Sequence, residues 1–237
     1  MITSSDYKKS ATLTGVFFLT AMVTSLLGAV LLESVIAMPD WLTTILSSRT
    51  QVYAGIYLEL INAIAVIGIA VMLFRVLKAY NENIALGYLG FRIIESMVCI
   101  VAAICPLLLI TLGQQHAEPG GLDNSHFQTF GHLIYAVRGY MAGLLLPIFF
   151  SLGALLFYYV MYRSKLIPRF LSVWGFAGVV LMLGFNLSGT ESSLGLIFVL
   201  PIILNEIFLG IWLIIKGFSQ FENWHSDESS KPKKPTI

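Results

Sequence analysis

Charge is scarce in this chain: Asp, Glu, Lys and Arg make up 11% of its 237 residues, against 57% hydrophobic ones. That balance excludes an ordinary soluble domain, where about a quarter of the residues are charged. The 14 basic residues are nearly matched by 13 acidic ones, so there is no basic surface for nucleic acid. Cysteine is also rare. Cys99 and Cys105 lie on one predicted helix, about 9 Å apart along its axis, which is too far for a disulfide. They read as small core residues. Also missing are the glycine patterns that cradle phosphates and dinucleotides, and any serine or cysteine in a nucleophile setting. Internal repeats of the kind that build many secondary transporters are absent too.

What the chain has instead is long apolar stretches, and its mean hydropathy of +0.83 places it among multi-spanning membrane proteins. About 20 apolar residues cross a bilayer as a helix, so the length admits roughly six crossings and no second folded domain. Six segments qualify, at roughly 12–37, 51–78, 84–113, 131–162, 168–188 and 193–217. The expected fold is all-α, an integral membrane bundle of six transmembrane helices over 12–217, with a short N-terminus (1–11) and a disordered polar tail (218–237). Membrane lipid is the expected partner. The second and fourth segments exceed the bilayer's hydrocarbon thickness, so tilt or extension past the interface is expected. Pro106, Pro147 and Pro201 fall inside the third, fourth and sixth, where each removes a backbone hydrogen bond and can bend its helix.

Lysine and arginine set the orientation. With the N-terminus cytoplasmic, that side carries Lys8, Lys9, Arg75, Lys78, Arg163, Lys165, Arg169, Lys216, Lys231, Lys233 and Lys234, and the outer side only Arg49. Both termini are therefore expected in the cytoplasm. Lys8 and Lys9 before an apolar run ending Val35-Ile36-Ala37 imitate a signal peptide, but the run is too long and contains Glu33, so cleavage is not expected. Between the first two segments, Trp41, Leu42, Ile45 and Leu46 have the spacing of a small amphipathic helix at the outer interface; an irregular loop anchored by Trp41 fits equally well. Residues 114–130 read as the longest outer loop, with Pro119, Gly120, Gly121 and Asp123 as turn formers.

Six ionisable residues interrupt the apolar runs: Glu33, Glu59, Arg92, Glu95, Arg138 and Glu206. Charge at membrane depth is costly, so it needs partners and marks either a functional path or a structural lock. Helical spacing decides which can meet. Gln51, Gly55, Glu59 and Asn62 share one stripe, as do Tyr88, Arg92, Glu95 and Cys99, with Arg92 one turn from Glu95. Tyr135, Arg138 and Ala142 share a third, and Gly139 with Gly143 forms a small-xxx-small notch for close helix approach. Counted by helical rise, Glu33, Glu59 and Arg138 lie in the outer part, whereas Arg92, Glu95, Asn205 and Glu206 lie nearer the midplane. An outer set is expected in which Arg138 pairs with Glu59 or Glu33, and a central set in which Arg92 bridges Glu95 and Glu206.

Four acids against two bases leave two carboxylates over, and Glu59 and Glu206 are the expected pair. A desolvated glutamate without a cation either carries a proton or exchanges a proton or metal ion. The alternative is that both stay neutral and hydrogen-bond to Asn62, Asn205 or backbone. Glu33 lies near an interface, where it can reach water. His116, His126 and His132, with Glu118 and Asp123, are the weak candidates for a metal site; their spacing matches no compact zinc pattern, and solvated loop histidines are favoured. No metal is expected and the sequence names no cofactor.

Several segments together carry a family likeness: Ala11-Thr12-Leu13-Thr14-Gly15, Phe91-Arg92-Ile93-Ile94-Glu95, and Tyr162-Arg163-Ser164-Lys165-Leu166-Ile167-Pro168-Arg169-Phe170-Leu171. Leu200-Pro201, Glu206 and Gly210-Ile211-Trp212-Leu213-Ile214-Ile215-Lys216-Gly217-Phe218 complete the set. Over about residues 10–218 the chain resembles the bacterial membrane-protein family catalogued as domain of unknown function 4386. The resemblance implies a helical protein of the bacterial inner membrane and favours Arg92, Glu95 and Glu206 as family features. It implies no activity. Three function classes fit the buried charges: binding or moving a small amphiphile, lipid or ion; an intramembrane enzyme using the carboxylates as acid, base or metal ligands; and a structural or regulatory partner without a ligand. The first is preferred, with Glu59, Asn62, Arg92, Glu95, Arg138, Asn205 and Glu206 as candidate binding residues and a small hydrophobic molecule as a possible ligand.

Overall fold

Apolar runs of this length can satisfy their own backbone within lipid only as helices. The computed structural model describes residues 4–117, 124–189 and 195–218, and all regular structure among them is helical. The elements are α1 (Ser4–Ile36), α2 (Trp41–Ser47), α3 (Arg49–Tyr80), α4 (Glu82–His116), α5 (Asn124–Tyr140), a π-helical turn (Met141–Leu145), α6 (Leu146–Ser164), α7 (Arg169–Leu187) and α8 (Gly195–Ile215). With α5, the π-turn and α6 forming one span, six helices are long and apolar enough to cross a membrane.

Two boundaries depart from expectation. Helix α1 already begins at Ser4, within the stretch read as a short N-terminus (1–11). The expected loop 114–130 is largely helical, because α4 continues to His116 and α5 starts at Asn124. The reason is a helical period hidden in a polar segment: Phe127 and Gly131 are buried and Ile134 is half-buried, so one face of this stretch packs. The turn formers Pro119, Gly120, Gly121 and Asp123, Glu118, and the expected tail beyond Phe218 lie outside the described residues.

The spans pack in chain order. Helix α1 lies on α3, α3 on α4, α4 on α6, α6 on α7, α7 on α8, and α8 returns to α1. Glycines draw α1 into this ring on both sides. A Cβ on Gly15 would stand 2.5 Å from the Gly210 carbonyl oxygen of α8, and one on Gly28 3.3 Å from that of Gly55 in α3. Close approach of this kind is how helices associate without a hydrophobic driving force. The Gly139/Gly143 notch does not work this way, since nothing lies within 4 Å of a Cβ at either position.

Helix α2 resolves the open choice between helix and loop. It buries Trp41, Leu42 and Ile45 downward onto the bundle, with Ile45 against Gly113 of α4 and the Trp41 ring against Gly131 of α5. Its apolar face thus caps the bundle. Two apolar cores result. One, at the α2 end, joins α1 to α5 through residues such as Leu32, Ile45, Ile56, Leu109 and Phe127. The other, toward the basic connections, is built around Phe18, Leu73, Tyr88, Phe157, Met161 and Leu209. The buried charges fall between them.

Candidate functional site

Proline explains part of the polar layer. Pro106 has no N–H, so the Ala102 carbonyl one turn earlier loses its helical donor, and Arg138 Nη1 donates to that oxygen at 3.0 Å. Pro147 does the same to Gly143, whose carbonyl accepts from Asn186 Nδ2 at 2.6 Å, tying α7 to the π-turn. Each of these two prolines thus frees a carbonyl acceptor, and a side chain from another span satisfies it.

Around Arg138 the outer set forms as expected and more completely. Arg138 Nη2 and Nη1 meet the Glu59 carboxylate at 2.6 and 3.1 Å, while Nε meets Glu33 at 3.2 Å. Tyr135 also donates to Glu33, at 3.2 Å. The arginine therefore takes both acids where one was expected. This corrects the reading of Glu59 as a surplus carboxylate: it is held bidentately, the strongest geometry for such a pair. The Glu33 side chain is 43% exposed, in keeping with a position near an interface.

In the central set, Arg92 Nη1 lies 3.1 Å from both Glu95 oxygens, and its Nε donates to the Tyr88 hydroxyl at 3.2 Å. The Phe150 and Tyr88 rings stand 5.2 and 5.4 Å from the guanidinium carbon. Both charged residues are buried. The expected bridge from Arg92 to Glu206 is not made. Among the described residues, Glu206 has no hydrogen bond and no cation within ion-pair distance.

Glu206 faces a cavity of about 390 Å³ to which all six spans contribute. Arg92 and Glu95 line it too, together with Asn62, Asn186 and apolar walls that include Phe18, Met22, Phe150, Phe185 and Ile202. A second chamber of about 210 Å³ holds Glu33, Glu59 and Arg138, and the two share Ser25, Asn62, Cys99 and Leu146 as walls. Of the candidate residues, six line these chambers. Asn205 does not: fully buried, it accepts from the Tyr158 hydroxyl at 2.6 Å and donates to the Leu171 carbonyl at 2.9 Å, locking α6, α7 and α8 together. It neither supports Glu206 nor reaches a ligand.

This lock supplies a stability prediction. Tyr158→Phe removes one donor and strands the buried Asn205 oxygen, which costs about 1–3 kcal/mol. Thermal unfolding in detergent should show a clear drop; an unchanged midpoint would count against the bond.

Sequence reading missed Ser25 and Asn186 as site residues and treated Cys99 as plain core. Asn186 carried a signal, being a polar residue within an apolar run. The metal candidates do not converge: His126 and His132 are exposed, and His116 packs edge-on against Phe127 with ring centres 5.3 Å apart. Among the described residues, no three of the His, Cys, Asp and Glu side chains group as metal ligands would.

Comparison with curated proteins and with solved structures returned no match. A family model does match, over residues 13–217, which is most of the chain and all six apolar helices. The protein therefore belongs to the family described as domain of unknown function (DUF4386), and is a multi-pass membrane protein with buried Arg–Glu ion pairs.

Proposed function

We propose that the protein binds a small amphiphile inside the membrane, in the cavity between its two apolar cores. The observation that carries this reading is Glu206, a carboxylate without a protein partner among the described residues, facing a cavity of about 390 Å³. That volume is within the range of small-molecule sites, and apolar walls with a few convergent polar groups are what such sites have. The Arg138 cluster acts as a structural lock on the adjoining chamber. The basic end, with Arg75, Lys78, Arg163, Lys165 and Arg169, faces the cytoplasm of a bacterial cell by the distribution of its charges, which puts the α2 end outside.

Heptanol is a neutral probe for this cavity. Binding should be saturable, and Ser25→Trp, which places a large ring where the two chambers meet, should weaken it by roughly tenfold or more with helicity unchanged. Equal binding by the two proteins, measured by calorimetry in nanodiscs, would overturn the reading.

A further inference from the structure

We propose that the natural ligand is an organic cation, an amine with an apolar body, whose charge is held by Glu206 with Glu95 beside it. This rests on the reading of the central cavity as a binding site. Among the described residues, the charged groups lining that cavity are one guanidinium and two carboxylates. The guanidinium is already neutralised: Arg92 gives Nη1 to both oxygens of Glu95, gives Nε to Tyr88, and has its guanidinium carbon over the Phe150 and Tyr88 rings. What remains is Glu206, whose ionised form has no counter-charge in surroundings where an unpaired charge is expensive. A ligand that brings the opposite charge removes that cost, whereas an anion adds to it.

A separate observation points the same way. The adjoining chamber repeats the imbalance, with Arg138 facing both Glu33 and Glu59. Among the described residues, no lysine or further arginine lines either chamber. A cation therefore meets an excess of carboxylate in both chambers, which share Ser25, Asn62, Cys99 and Leu146 as walls, and an anion meets no excess of positive charge in either. A bare metal ion fits poorly, because among the described residues no group of three metal-ligating side chains exists. Apolar walls such as Met22, Phe185 and Ile202 suit a hydrocarbon body instead.

Heptylamine, heptanol and heptanoate separate the possibilities, because they share one tail and differ in the head. With the full chain in neutral-lipid nanodiscs at pH 7, heptylamine should bind roughly tenfold or more tightly than heptanol, since a charged hydrogen bond is gained, and heptanoate more weakly than either. Glu206→Gln should cut the amine's advantage over heptanol, measured on the same variant, from roughly tenfold or more to within about twofold. Heptanoate binding tightest, or an amine advantage that survives E206Q, overturns the cation assignment. Heptanol binding without any preference for the amine overturns it too, while sparing the cavity as a site. If none of the three binds, both readings fall. Should E206Q not fold, the order of the three heads on the unaltered protein decides alone.

Discussion

Arg138→Ala is expected to lose about 3–5 kcal/mol of stability, enough to deplete the folded protein in membranes. The arginine is 3% exposed and reaches three elements at once: Glu33 on α1, Glu59 on α3 and the Ala102 carbonyl on α4, all from α5. Truncation leaves two carboxylates facing each other without a counter-charge and a proline-freed carbonyl without a donor. Arg138→Lys keeps the charge but cannot fork between Glu59 and the carbonyl, so partial loss is expected. The decisive comparison is the triple change R138A with E33Q and E59Q, because removing both acids relieves the stranded charge. Unfolding midpoints should place the triple variant above R138A alone; the reverse order, or a stable R138A, would show that the cluster is not a lock.

Gly15→Ala should be the second large effect, and a control lies within the same chain. The added methyl would meet the Gly210 carbonyl oxygen at 2.5 Å and Ile214 at 2.8 Å, with backbone on one side that cannot swing away. Overpacking of this kind costs about 1–3 kcal/mol, and here it acts where the last helix closes on the first. Gly139→Ala meets nothing within 4 Å. It replaces the poorest non-proline helix former with the best, so it should be neutral or stabilising by up to about 1 kcal/mol. Equal destabilisation by both variants in a thermal-shift assay would refute the packing of α1 against α8.

Glu59 and Glu206 show how far helical phase reaches. Phase correctly put Glu59 on a stripe with Gln51, Gly55 and Asn62, and that stripe does face α1: Gln51 donates to the Leu31 carbonyl at 3.0 Å and Gly55 packs on Gly28. Which acid Arg138 would take was undecidable from one helix at a time, because the answer depends on the distance between α1 and α3. The glycine crossing sets that distance, bringing Glu33 and Glu59 close enough for a single guanidinium to hold both. Asn205 failed for a similar reason. Its neighbour Glu206 is one residue on, about 100° around the helix, so one faces α6 and α7 while the other faces the cavity.

The amino-acid sequence alone determined the class and the six apolar helices, because burial in lipid forces the backbone into helices. It also determined the Arg92–Glu95 pair, which one helical turn brings together without help from another element. Tertiary structure decided the rest. Closing of α8 on α1 by paired glycines, and side-chain donors answering the carbonyls freed by Pro106 and Pro147, set the spacing of the helices. That spacing left Glu206, and not Glu59, as the carboxylate without a protein partner among the described residues. Pairing between helices depends on distances of a few ångströms across the bundle, and a single strand of sequence carries no measure of them.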